Sequence, residues 1–124
     1  MKPALSLSPP TKALEQRMQK WVIQDRYGNA IYFTEERWHH ILESRPELEP
    51  YFDLFVETLR TGRREQDPLI PNEYRYIKHF DELLPDNSHL VMVVVFRTRL
   101  DASGEYISNN FVVTGWANYI WSQR

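Results

Sequence analysis

The run Leu90-Val91-Met92-Val93-Val94-Val95-Phe96 contains no polar side chain and is dominated by valine. Branching at Cβ stiffens valine toward extended backbone, and an unbroken apolar run of this length, without alternation, suits a strand covered on both faces. It is far short of the roughly 20 residues that a membrane-spanning helix requires. A strand of this kind demands a core, and 124 residues at 42% hydrophobic and 14% aromatic content supply one core and not two.

Charged residues make up 26% of the chain, which argues against general disorder. The absence of cysteine removes disulfides, thiolate metal sites and a cysteine nucleophile, and fits a reducing compartment. Near the N-terminus, Pro3, Pro9 and Pro10 interrupt a weakly apolar stretch that lacks the core of a secretory signal. The expectation is a soluble cytoplasmic protein with no membrane association. A formal net charge of −2 counts against tight, nonspecific binding of long nucleic acid but leaves room for a local basic patch.

Residues 1–20 read as a flexible tail with a possible short helix from Thr11 to Lys20, and residues 21–124 as a single α+β domain. Trp21-Val22-Ile23 and Ile31-Tyr32-Phe33 flank Gly28-Asn29, which predicts an N-terminal β-hairpin. Thr34 is placed to cap a first helix, with Glu35 and Glu36 in its first turn and Pro46 as its stop. Leu48, Phe52, Phe55 and Leu59 give the buried face of a second helix over about Glu47 to Thr61, ended by Gly62. Arg63 to Pro71 reads as irregular. Beyond it, Glu73–Phe80, the valine-rich run and Tyr106–Gly115 predict strands, with Asp101-Ala102-Ser103-Gly104 as a turn. The architecture expected is two packed helices with a mainly antiparallel sheet of about four strands.

No glycine-rich phosphate loop is present, and the histidines lack the spacing of a zinc-ligand pair, so no cofactor or metal is expected. Four groups could carry chemistry. His40 lies on the polar side of the first helix and His39 on its flank; an imidazole suits proton transfer near neutrality, although a solvated surface histidine gives the same pattern. Tyr74, Tyr76 and Lys78 share one face of a strand, where they could stack a base and hold a phosphate, or simply join the core. Thr114 lies near the end of an apolar strand. Arg60, Arg63 and Arg64 gather at the end of the second helix, where its dipole favours cations, and Arg97 and Arg99 flank the last turn.

Thr34-Glu35-Glu36-Arg37-Trp38-His39-His40-Ile41-Leu42, then Arg45-Pro46-Glu47, the Tyr74/Tyr76/Lys78 strand, the valine-rich strand and Phe111-Val112-Val113-Thr114 follow one another in an order. That order resembles the phage-type branch of the barnase–EndoU–colicin–RelE-like nuclease superfamily, over roughly Val22 to Trp116. The resemblance implies a barnase/RelE-like fold and a metal-independent endoribonuclease, such as a toxin or phage-derived effector. It implies RNA as substrate and an antitoxin or immunity protein as partner. His40 would then be an acid or base, Lys78 the cation that stabilises the phosphorane, and Thr114 the hydroxyl of the last strand. Tyr74, Tyr76 and Arg97 would hold substrate. A second acid/base residue is open between Tyr76, His79 and Arg97. The alternative is a noncatalytic protein-interaction module on the same fold, anchored by Trp116, Tyr119 and Trp121.

Overall fold

A computed structural model describes residues 20–120. The N-terminal tail, its expected helix up to residue 19, and Trp121 lie outside the described residues. The chain runs β1 (Lys20–Gln24), β2 (Ala30–Thr34), α1 (Glu35–Ser44), a 3₁₀-helix (Pro46–Tyr51), α2 (Phe52–Thr61), β3 (Arg63–Gln66), β4 (Glu73–His79), β5 (His89–Val95), β6 (Thr98–Leu100), β7 (Tyr106–Ser108) and β8 (Asn110–Asn118). The described residues thus form an α+β structure with a six-stranded sheet in the order β1-β2-β8-β5-β4-β3, and β6 and β7 make a separate hairpin. Neighbouring strands are antiparallel except β2 and β8, which run parallel at Ile31–Asn110 and Tyr32–Phe111. The sheet is therefore mixed and larger than the four strands expected.

The local signals explain most of these elements. Gly28 takes a positive φ of 90° in the β1–β2 turn, which closes through Gly28 N–H to the Asp25 carbonyl. The Thr34 hydroxyl accepts the Arg37 amide at 3.1 Å and caps α1. The second helix begins later than its apolar spacing suggests. Pro50 removes an amide donor, and the preceding turn tightens into the 3₁₀ segment before α2 starts at Phe52. Gly62 ends α2 without entering the left-handed region. Instead a Cβ there would stand 2.5 Å from the Thr58 carbonyl oxygen and 2.9 Å from that of Ile77, so the glycine permits helix end and strand to touch.

The two described α-helices pack on one face of the sheet. Ile23, Ile31 and Phe33 from the hairpin meet Trp38 and Ile41 of α1, Leu48, Phe55 and Leu59, and then Tyr76, Leu90, Met92, Val94 and Val112 of the central strands. Aromatic rings thread this layer, with Trp21 and Phe52 at 4.7 Å between centroids and Trp38 and Phe52 at 5.1 Å. β5 is buried along its whole length, as the valine run requires. Gly115 sits opposite Met92, and any Cβ there would strike the Met92 sulfur and approach Phe55.

Candidate functional site

Strand alternation and the register divide the sheet residues into two sets. On the helix side lie Tyr74, Tyr76 and Lys78 of β4, together with Leu90, Met92 and Val94 of β5. On the opposite side, turned away from the two described helices, the paired residues fall into rows in which Ile77, His89, Val91, Val93 and Val95 are buried. His79, His89 and Asn118 form one; Arg63, Ile77, Val91 and Trp116 the next; Glu65, Arg75, Val93 and Thr114 the third; Glu73, Val95, Phe111, Tyr32 and Val22 the fourth.

This division separates the residues singled out from sequence. Tyr74, Tyr76 and Lys78 do share a face, but it is the helix side. Tyr76 is fully buried, and its phenol donates to Asp25, so it cannot stack a base. Tyr74 packs edge-on against Phe96 at 4.9 Å. The Lys78 ammonium lies 5.8 Å from the Phe80 ring centroid, and its charge reaches Glu57 of α2. Thr114 and Arg97 belong to the side away from the helices, with Thr114 half-buried beside Val93 and the Arg97 guanidinium 5.1 Å from the centroid of Phe111. His40 faces solvent on α1 with Glu43 at 3.7 Å, and His39 pairs likewise with Glu35 at 3.8 Å. His40, Lys78 and Thr114 therefore do not converge. The hydrophobic side of β4 was already visible in its tyrosines; a strand with aromatic residues on one face turns that face to the core when helices are there to receive it.

What this second face does bring together is a pair of imidazoles. His79 and His89 are direct cross-strand partners with ring centroids 5.2 Å apart at 70°. His79 is exposed and approaches the Asp81 carboxylate at 3.6 Å, a pairing that carries charge when the ring is protonated. His89 is buried, with 7% of its surface exposed, and its Nδ1 lies 2.6 Å from the Ser88 hydroxyl. That hydroxyl also accepts the Ile120 amide at 3.0 Å, so the ring is fixed between β5 and the end of β8. Burial, with the charges of His79 and Arg63 added, holds the His89 imidazole below its ordinary value of 6.5. Arg63 stands one row away, paired with Glu65. Two titratable rings with different environments and a neighbouring cation are an arrangement able to move protons and stabilise an anion. Among the described residues, no three His, Asp or Glu side chains gather as a metal-binding group.

In the sequence His79 is one of three competing acid/base residues, and His89 carries no local signal that singles it out. The available signal was their symmetric position at the facing ends of two predicted strands, legible only once those strands are paired antiparallel. No family model matches the chain, and neither curated proteins nor solved structures give a significant match.

Proposed function

We propose that the chain is a metal-independent endoribonuclease whose reaction takes place at the His79–His89 end of the sheet face turned away from the two described helices. The observation that carries this reading is the facing pair of imidazoles, one exposed and one buried, with Arg63 beside them. Cleavage of RNA by its own 2′-hydroxyl needs this set of groups. One imidazole takes the 2′-hydroxyl proton as the oxygen attacks phosphorus, and the bond from phosphorus to the 5′-oxygen breaks. The other imidazole protonates that leaving oxygen, and a 2′,3′-cyclic phosphate remains. His89, buried, fixed through Nδ1 and with its imidazole held below the ordinary value, suits the base; His79, exposed and 3.6 Å from the Asp81 carboxylate, suits the acid. Arg63 supplies positive charge for the equatorial oxygens of the phosphorane.

The test is cleavage of total RNA and purified tRNA in EDTA. His79→Ala and His89→Ala are expected to lower the rate by about 10²- to 10⁴-fold, the usual contribution of an acid or base. His40→Ala and Lys78→Ala should cleave like the wild type. Loss of activity in the His40 and Lys78 variants alone would move the chemistry off this face, and inert wild-type protein would end the nuclease reading.

The exposed loop before β4 favours a second reading, a noncatalytic interaction module. There Leu69 is 88% exposed, while the Asp67 carboxylate, accepting the amides of Leu69 and Ile70, holds the loop in one shape. A fixed loop presenting an aliphatic side chain is a ready anchor for a partner protein.

A further inference from the structure

The fourth row of this face differs in kind from the first. Tyr32 of β2 and Phe111 of β8 are register partners on this side of the parallel pair, and each is half-buried. Each carries a cation. The Lys20 ammonium stands 4.2 Å from the centroid of Tyr32, and the Arg97 guanidinium 5.1 Å from that of Phe111. Both cations belong to exposed residues, and neither has a carboxylate partner among the described ion pairs. Trp116, half-buried in the second row, lies between this pair and the histidines. Along β5 the distance from the His89 row to the Val95 row is six residues, or about 20 Å at the rise of a strand.

We propose that Tyr32 and Phe111, with Lys20 and Arg97, form a platform that holds single-stranded RNA at a distance from the His79–His89 pair. The proposal deepens the nuclease reading by naming its substrate class, and it rests on that reading for the fate of the bound strand. Flat rings at a sheet surface accept unstacked bases, which a single strand offers and a duplex does not. Cations beside the rings fit the phosphates that accompany each base. A protein partner would gain little from two cations already seated on the aromatic surface it had to cover. Glu73 at the β4 end of the row sets the limit of the platform, since its carboxylate would repel a phosphate there.

Binding can be read apart from cleavage with a labelled 2′-O-methyl oligouridylate of about eight nucleotides, a length within the site sizes of single-strand binders. The capped 2′-oxygen cannot attack, so fluorescence anisotropy reports affinity alone. The wild type is expected to bind this strand and to bind a hairpin duplex of equal charge at least about tenfold more weakly. Lys20→Glu with Arg97→Glu, both at exposed positions, should weaken the single strand about tenfold or more with the thermal midpoint kept. Phe111→Leu, which preserves apolar volume, should weaken it without changing the salt dependence. His40→Ala, on the exposed side of α1, should bind like wild type. Equal affinity for duplex and single strand would overturn the proposal, as would equal affinity for polyglutamate or an unaltered charge-reversed variant. Binding with these preferences by a protein that cleaves nothing would leave the platform standing and remove the nuclease reading. Cleavage of long RNA that the platform variants perform unchanged would do the reverse.

Discussion

The phenol of Tyr76 donates its proton to the carboxylate of Asp25, joining β4 to the β1–β2 turn across 51 residues of sequence. Asp25 is buried and also accepts the amides of Tyr27 at 2.9 Å and Asn29 at 2.8 Å, while Arg64 stands 3.6 Å away. Arg64 in turn lies over Tyr27 at 4.3 Å and Tyr74 at 4.8 Å. β1 and β3 are opposite edges of the sheet, so this cluster draws its two ends together over the core.

Removing the phenol while keeping the ring should expose what that closure is worth. Burial, reinforced by the neighbouring Asp25 charge, pushes the Tyr76 hydroxyl above its ordinary 10.0, so it remains a donor throughout the neutral range. Tyr76→Phe leaves a buried carboxylate oxygen short of a partner, which costs about 1–3 kcal/mol. Urea denaturation should show a lower midpoint with the same slope, and an unmoved midpoint would mean the turn is held by other contacts.

Gly62→Ala should also destabilise, although the residue has ordinary backbone angles. Its added carbon would meet the Thr58 and Ile77 carbonyl oxygens, both of them backbone, so neither can rotate aside. A loss of about 1–3 kcal/mol is expected from such overpacking. An alanine variant with the wild-type thermal midpoint would show that α2 and β4 can separate freely.

His89 makes stability depend on pH in a particular direction. Its folded value lies below the 6.5 of an unhindered imidazole, chiefly through burial. Between the two values the unfolded chain binds a proton that the folded chain does not, so stability falls as pH drops through 6.5 and levels off below the folded value. Above 6.5 the group contributes no slope. His89→Gln should flatten that region of a stability–pH profile, and an identical slope in the variant would assign it to another residue.

The same displacement bears on catalysis. If neutral His89 is the base, the acid limb of kcat/KM should lie below pH 6.5, because activity persists until that ring takes a proton. Ser88→Ala should shift the limb while leaving the fold intact, since the hydroxyl contacts Nδ1 directly. A limb that does not respond to Ser88 would separate the titrating group from His89.

Much of the fold was legible because its signals are local. Thr34, Gly28 and the valine run each act through their own backbone or through burial that a short window reveals. β3 was missed because Arg63-Arg64-Glu65-Gln66 has no apolar face at all; it is an edge strand ordered by pairing with β4. The returning C-terminal segment was expected as one strand over Tyr106–Gly115. It splits at Asn109, whose amide bonds to Arg97, into β7 and the longer β8. The candidate site was less legible for a different reason. Alternation groups Tyr74, Tyr76 and Lys78 correctly, but a period of two does not say which group meets the helices. That choice depends on α2 lying against β4 and β5, a long-range fact. Likewise His79 and His89 become neighbours only through the register of their hairpin.

The insertion of β8 between β2 and β5 sets an order of events on the chain's path to the native state. β2 cannot join the sheet until residues near Asn110, about 80 positions later, are available to lie beside it. The meander of β3, β4 and β5, by contrast, is assembled from near neighbours. Folding should therefore begin in the middle of the chain, and the N-terminal hairpin should dock last, after the entropic cost of closing a long loop has been met. During synthesis on a ribosome the hairpin emerges before the rest of the sheet yet waits longest, leaving Ile31 and Phe33, both wholly enclosed in the finished molecule, without their permanent neighbours.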